Sequence, residues 1–128
     1  MDINELTEIV IGCAYEVHNA LGAGFLEKVY ENALRIELEQ VGLTVRQQEP
    51  INVFYRNQLV GEFFADLLIP GELIIEIKAV RESAKEHEVQ LVNYLNATLI
   101  DNGLLINFGP SVEVKRKFRQ YNRQDSQD

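Results

Sequence analysis

The chain has 128 residues, 46% hydrophobic and 25% charged, the balance of one ordinary globular domain that buries roughly two-thirds of its unfolded surface. A single cysteine, Cys13, excludes an internal disulfide and fits a reducing compartment, and no stretch approaches membrane-spanning length. The net charge of −8 argues against easy binding of a polyanion: residues 1–114 hold 7 basic and 18 acidic groups, and 115–128 hold 5 and 2, which leaves a +3 tail on a body of −11.

The N-terminus carries Asp2, Glu5 and Glu8 where a leader would have a basic segment followed by an apolar run, so the expected location is cytoplasmic. From Ile3 to Ala20, Leu6, Ile9, Val10, Cys13 and Val17 recur at helical spacing, and Leu21-Gly22-Ala23-Gly24 breaks the pattern. A second helical pattern runs from Phe25 through Val29, Leu34, Ile36 and Leu38 to a stop near Gly42. Glu27, Tyr30, Glu31 and Leu34 lie close to one face of that helix, an arrangement that is usually just surface.

Strand-like alternation follows in Leu43–Gln48, Ile51–Arg56 and Gln58–Ile69, with Pro50 and Asn57 read as turns, and again in Glu72–Val80. Together they predict an antiparallel meander in which Gly61 marks a bulge or a close backbone approach. Ser83 with Glu86 is a capping-box pattern, so a third helix is expected to run from there to about Asp101, burying Val89, Val92, Leu95 and Leu99. His87, Gln90 and Tyr94 form a separate polar stripe on it, able to grip a phosphate or stack on a base, or simply to face solvent. Leu104–Phe108 and Val112–Phe118 then close the chain as two strands joined through Gly109-Pro110. Lys115, Arg116, Lys117, Arg119 and Arg123 form a basic tail, read either as a polyanion contact or as a frayed terminus.

Charges inside the apolar runs FFADLLI and ELIIEIKAV carry the functional signal. A carboxylate in a strand covered on both faces costs on the order of 3 kcal/mol or more unless it is paired or holds a cation. Alternation puts Glu76 and Lys78 on one face and Leu73, Ile75, Ile77 and Ala79 on the other. A two-residue loop at Pro70-Gly71 would set Asp66 opposite Ile75 and point it away. A three-residue loop, Pro70-Gly71-Glu72, pairs Ile69 with Leu73, sets Asp66 across from Glu76, and stacks Ala65, Leu67 and Ile69 on one apolar face. Carboxylates within about 5 Å of each other repel unless a cation intervenes, and a hard ion such as Mg²⁺ suits an oxygen site with few protein ligands. Lys78 could then stabilise charge on a phosphate. The alternative at this point is an Asp/Glu/Lys ion-pair cluster on a solvated sheet face, because D-x₉-E-x-K is a short pattern.

The order helix, strands, helix, strand with Asp66, Glu76 and Lys78 resembles the PD-(D/E)xK nuclease superfamily. The whole chain is similar to its small GxxExxY family: Gly24-Phe-Leu-Glu27-Lys-Val-Tyr30 stands as the name motif, within EVHNALGAGFLEKVYENAL, and FADLLI, IIEIKA, HEVQLVNYL and GLLINFG follow in order. The resemblance implies an α/β fold with a mixed, mostly antiparallel sheet and a restriction-endonuclease-like core, in a single domain. It implies a Mg²⁺- or Mn²⁺-dependent nuclease acting on nucleic acid, DNA before RNA. Asp66, Glu76 and the Ile77 carbonyl would be metal ligands, Glu27 a supporting helix acid and Lys78 the catalytic lysine. Gln90 and Tyr94 match the Q-x-x-x-Y element of RecB-type nucleases and, with Tyr30, would contact substrate. Ala65 replaces the proline that often precedes the motif Asp. A catalytically silent interaction module on the same fold is the competing reading, and an apolar sheet edge or helix is available to a homodimer.

Overall fold

The computed structural model describes residues 1–120. Helix α1 (Ile3–Leu21) begins where the Asp2 carboxylate accepts the Glu5 N–H and ends where Gly22 turns to φ +73°. Helix α2 (Glu27–Gln40) follows a short loop. Five strands form one sheet in sequence order: β1 (Arg46–Tyr55), β2 (Gln58–Ile69), β3 (Leu73–Lys78), β4 (Asn102–Phe108) and β5 (Val112–Phe118), with helix α3 (Lys85–Thr98) crossing from β3 to β4. All neighbours are antiparallel except β3 and β4, the parallel pair that the α3 crossover makes possible. The result is the mixed α/β architecture expected from the sequence.

Two apolar layers cover the sheet. Leu6, Val10 and Val17 of α1 and Tyr30, Leu34 and Leu38 of α2 pack on Leu67, Ile69, Leu73, Ile75, Ile77, Leu104 and Ile106. On the other face Leu91, Tyr94 and Leu95 of α3 pack on Ile51, Ala65, Leu68, Ile74 and Leu105. Strand β3 is therefore covered on both sides, which explains its unbroken apolar text.

The structure corrects several sequence expectations. Leu43–Gln48 and Ile51–Arg56 are not two strands: β1 runs straight through Pro50, which pairs with Phe64. Because β1 is an edge strand, one side of its backbone pairs with no other strand, and a proline is tolerated there. Ala65 does not share a face with Leu67 and Ile69. It packs with Ile51 and Leu68 toward α3, whereas Leu67 and Ile69 face α1 and α2, so the alternation of β2 inverts at Asp66. Opposite that inversion Gln48 has φ +53°. Ser83 and Glu86 do not cap α3. The helix starts at Lys85, the Ala84 N–H donates to His87 Nδ1, and Ser83 bonds Glu113 instead. Val89 and Leu99 are exposed, and Leu91 and Tyr94 take the buried positions. Lys115, Arg116 and Lys117 lie in β5 and Arg119 bonds Asp101, so this part of the basic tail is not frayed; Arg123 lies outside the described residues. The Gly61 expectation holds, since the β1–β2 register shifts between Val53 and Phe54, opposite the Leu59–Gly61 stretch.

Candidate active site

Between β2 and β3 the ladder starts as the three-residue loop requires. Pro70 and Gly71, the latter at φ +75°, make a turn closed by the Glu72 N–H on the Ile69 carbonyl. The register Ile69–Leu73, Leu68–Ile74, Leu67–Ile75 then places Asp66 and Glu76 at the next rung. There the backbone pairing stops and side chains take over. The Asp66 N–H donates to Glu76 Oε2 at 2.8 Å, and the Ile77 N–H donates to Asp66 Oδ2 at 2.8 Å. Each carboxylate thus caps the other strand's open backbone, a reciprocal clasp that holds the splayed strands together. In an extended strand the N–H and C=O of one residue lie on the same side, so the Ile77 carbonyl faces the same gap.

The clasp is electrostatically strained. Glu76 is 6% exposed, and its carboxyl is pushed up to about 8, first by burial and then by the Asp66 charge; the hydrogen bond from Asp66 and the Lys78 charge hold it back, and Glu31 adds to the rise. Burial also raises the Asp66 carboxyl, opposed by the Ile77 N–H, the Gln48 amide and Lys78, with Glu31 again raising it. Lys78, half-buried at the end of β3, makes no hydrogen bond or ion pair among the described residues. Its ammonium is uncommitted.

The strand segment after Lys78 is pinned to β4. Lys78 is the register partner of Asn107, which is 2% exposed. The Asn107 Oδ1 accepts the Val80 N–H at 3.0 Å and its Nδ2 donates to the Val80 carbonyl at 2.9 Å. A Cβ on Gly109 would come within 2.7 Å of that carbonyl, so only glycine permits the approach.

Two clefts flank the clasp. On the α2 side one of about 450 Å³ is lined by Leu26, Glu27, Lys28, Glu31, Gln48 and Asp66, among others. Glu27, the first residue of α2, is exposed there. Glu31, not Glu27, is the buried helix acid. At 3% exposed it accepts from Lys28 Nζ at 2.9 Å, Gln47 Nε2 at 2.6 Å and Gln48 Nε2 at 3.1 Å, and Gln48 also donates to Asp66 at 3.2 Å. The second cleft, about 490 Å³, lies under α3 and includes Gln90 and Tyr94. Tyr94 packs in one buried cluster with Ala65, the residue before Asp66, and Ile74, two before Glu76, which puts that cleft beside the clasp; burial and the charges of Glu76 and Asp66 raise its hydroxyl.

The structure therefore gathers Asp66, Glu76 and Lys78, with Glu27 on one flank and Gln90 and Tyr94 on the other. It takes Tyr30 out of reach. Tyr30 is fully buried, stacked on Phe108 at 4.7 Å, and its hydroxyl donates to the Gly22 carbonyl while accepting the Phe25 N–H. The tyrosine of the Gly24–Tyr30 motif holds the α1–α2 loop, and its ring and hydroxyl lie inside the fold, not in either cleft. His18 is likewise structural, bonded to the Gly109 carbonyl and stacked on Phe108. Glu31, Gln48 and Asn107 were given no role from the sequence. A charged residue between Tyr30 and Leu34 on the buried stripe of α2 was the only signal for Glu31, and none marked the other two.

As donors, Asp66, Glu76 and the Ile77 carbonyl make a hard, all-oxygen set with unbalanced negative charge. No three His, Cys, Asp or Glu side chains form a ready metal cluster among the described residues. The set still fits a hard cation that keeps most of its water, because such ions need only one or two carboxylates from the protein.

A mixed sheet with helices on both faces and an acidic pair and lysine where two central strands part is the architecture of a restriction-endonuclease-like domain. The PD-(D/E)XK nuclease superfamily model matches residues 4–120, and the chain belongs to that superfamily. Its members generally use divalent metal ions. The crystal structure of SSO0001 has a similar fold, with a TM-score of 0.60 and 17% identity over 75% of this chain; the chain spans about half, 52%, of that protein. No curated protein matches significantly in sequence. No described helix is long and apolar enough to cross a membrane.

Proposed function

We propose that this chain is a Mg²⁺- or Mn²⁺-dependent nuclease of the GxxExxY group that hydrolyses phosphodiester bonds, DNA before RNA. The observation that carries the reading is the clasp: a buried Glu76 carboxyl and a half-buried Asp66 carboxyl, both with a raised affinity for a proton, beside a lysine uncommitted among the described residues. Asp66, Glu76 and the Ile77 carbonyl would hold the ion, with Glu27 supporting it from the cleft rim. A divalent ion held there would supply acidified water and neutralise charge on the phosphate. Lys78 extends its ammonium toward the phosphoryl oxygens and stabilises the charge that develops on them. Asn107 fixes the backbone from which Lys78 projects, Glu31 and Gln48 fix the Asp66 carboxylate, and Gln90 and Tyr94 position the strand.

Cleavage of linear, circular and single-stranded substrates in Mg²⁺ and Mn²⁺ should be abolished by Asp66→Ala and by Lys78→Ala. Activity that persists in both variants refutes the mechanism. The strong negative charge of residues 1–114 favours a second reading, a silent interaction module. Calorimetry without any heat of Mg²⁺ or Mn²⁺ binding would decide for that module.

A further inference from the structure

The cleft under α3 differs in chemistry from the acidic clasp beside it. Its lining includes Val53, Phe63, Gln90, Asn93, Tyr94 and Asn96, and among the described residues no charged side chain lines it. Phe63, 40% exposed on β2, and Tyr94 bring their rings to 5.6 Å at an angle of 42°. Tyr94 is only 7% exposed, yet its hydroxyl has no hydrogen-bond partner among the described residues. The Gln90 and Asn93 amides also have no partner among the described residues, and Asn96 spends its oxygen on the Gln120 N–H. Among the described residues this lining offers a phosphate no cation. A flat, neutral ring with donors and acceptors on its edge finds an aromatic wall, an apolar floor and carboxamides that can serve as both donor and acceptor.

From this placement we propose that the Phe63–Tyr94 cleft is a nucleobase pocket that receives one unpaired base of the strand whose phosphate lies at the clasp. The base packs on the exposed Phe63 ring, and its edge is met by Asn93, Gln90 and the Tyr94 hydroxyl. A base inside a duplex is stacked on both sides and cannot enter, so the substrate class is single-stranded nucleic acid or an unpaired end. This deepens the nuclease reading and rests on it for the phosphate alone; the base pocket stands on its own lining.

The test uses the full chain without divalent metal, titrated with adenosine, guanosine, cytidine and uridine and their deoxy forms at millimolar concentration. Amide shifts in isotope-labelled protein are the readout. Shifts should centre on Phe63, Asn93, Tyr94 and Ala97, and Phe63→Ala should weaken binding at least about fivefold, the lower end of one base–aromatic stack. Asn93→Leu, an exposed position that leaves the fold alone, should weaken it as well. The ribo and deoxy series separate RNA from DNA as the source of the base. No shift with any nucleoside, or shifts indifferent to both variants, overturns the pocket. Cleavage of a duplex as fast as of its single strand overturns the substrate class. If nucleosides bind but Asp66→Ala leaves cleavage intact, the assignment of the chemistry to the clasp falls and the pocket stands. If Asp66→Ala abolishes cleavage and no nucleoside binds, the reverse holds.

Discussion

Glu76→Gln should make the metal-free protein more stable at pH 8 while leaving it unchanged near pH 4.5. In the fold the carboxyl binds its proton up to about pH 8, and in the unfolded chain it releases it near 4.5. Below 4.5 both states hold the proton and the residue costs nothing through ionisation. Between 4.5 and 8 unfolding releases a proton, so stability falls as pH rises, by up to about 1.4 kcal/mol per pH unit. Above 8 the loss levels off at an upper bound of about 5 kcal/mol, which relaxation around the clasp reduces. Glutamine keeps an oxygen for the Asp66 N–H and does not titrate, so it escapes this loss. At roughly 3 °C per kcal/mol for a domain of this size, the gap in Tm should grow from near zero at pH 4.5 to about 10 °C at pH 8. Calorimetric melts of both proteins in chelator across that range measure it. A gap that stays constant with pH refutes the idea that burial keeps Glu76 protonated. Added Mn²⁺ at pH 8 should raise the Tm of the parent and leave the variant much less affected.

Glu31→Leu leaves the Gln47 and Gln48 amides and the Lys28 ammonium without their shared acceptor, and should lower the urea midpoint by an amount worth about 2 kcal/mol with an unchanged m-value. The same change removes a negative neighbour, so the Asp66 carboxyl should titrate at lower pH, readable by carbon-13 NMR. Tyr30→Phe deletes both hydroxyl contacts of the α1–α2 loop and should cost about 1–2 kcal/mol in denaturant melts without changing KM for nucleic acid. A raised KM at unchanged stability would return Tyr30 to the substrate.

The β2–β3 register was readable because local chemistry determines it. Pro70-Gly71 makes the turn, and the apolar alternation of Leu67, Ile69, Leu73 and Ile75 admits one pairing that buries them all. Pro50 misled because its meaning depends on topology: in a central strand it would end the element, but an edge strand tolerates it. The inversion at Asp66 was invisible for a similar reason, since a glutamine at positive φ leaves no compositional trace. On α3 the sequence reading buries Val89, Val92, Leu95 and Leu99 and leaves Tyr94 on a polar stripe; Val92 and Leu95 are buried, but Leu91 and Tyr94 take the places of Val89 and Leu99. Only the position of Phe63 on the neighbouring strand shows why the tyrosine turns inward. Glu31 takes its partners from β1, 16 and 17 residues away, and no helical periodicity reports on them.

The acidic body and the proposed polyanionic substrate are reconciled at the break in the ladder. Were β2 and β3 paired to their ends, Asp66 and Glu76 would face each other across a closed rung, with the Ile77 N–H and carbonyl consumed by the backbone. Because pairing stops after Leu67–Ile75, the carboxylates satisfy the freed amides and bring their oxygens to one gap. Holding Glu76 protonated near neutral pH lowers the charge a phosphate would meet before any cation arrives, and a cation that displaces the proton turns the same gap from repulsive to attractive. The protein's overall charge then matters less than the local one. Loss of stability with rising pH and gain of stability with added divalent ion are therefore two expressions of the same clasp, and Glu76→Gln should remove both together.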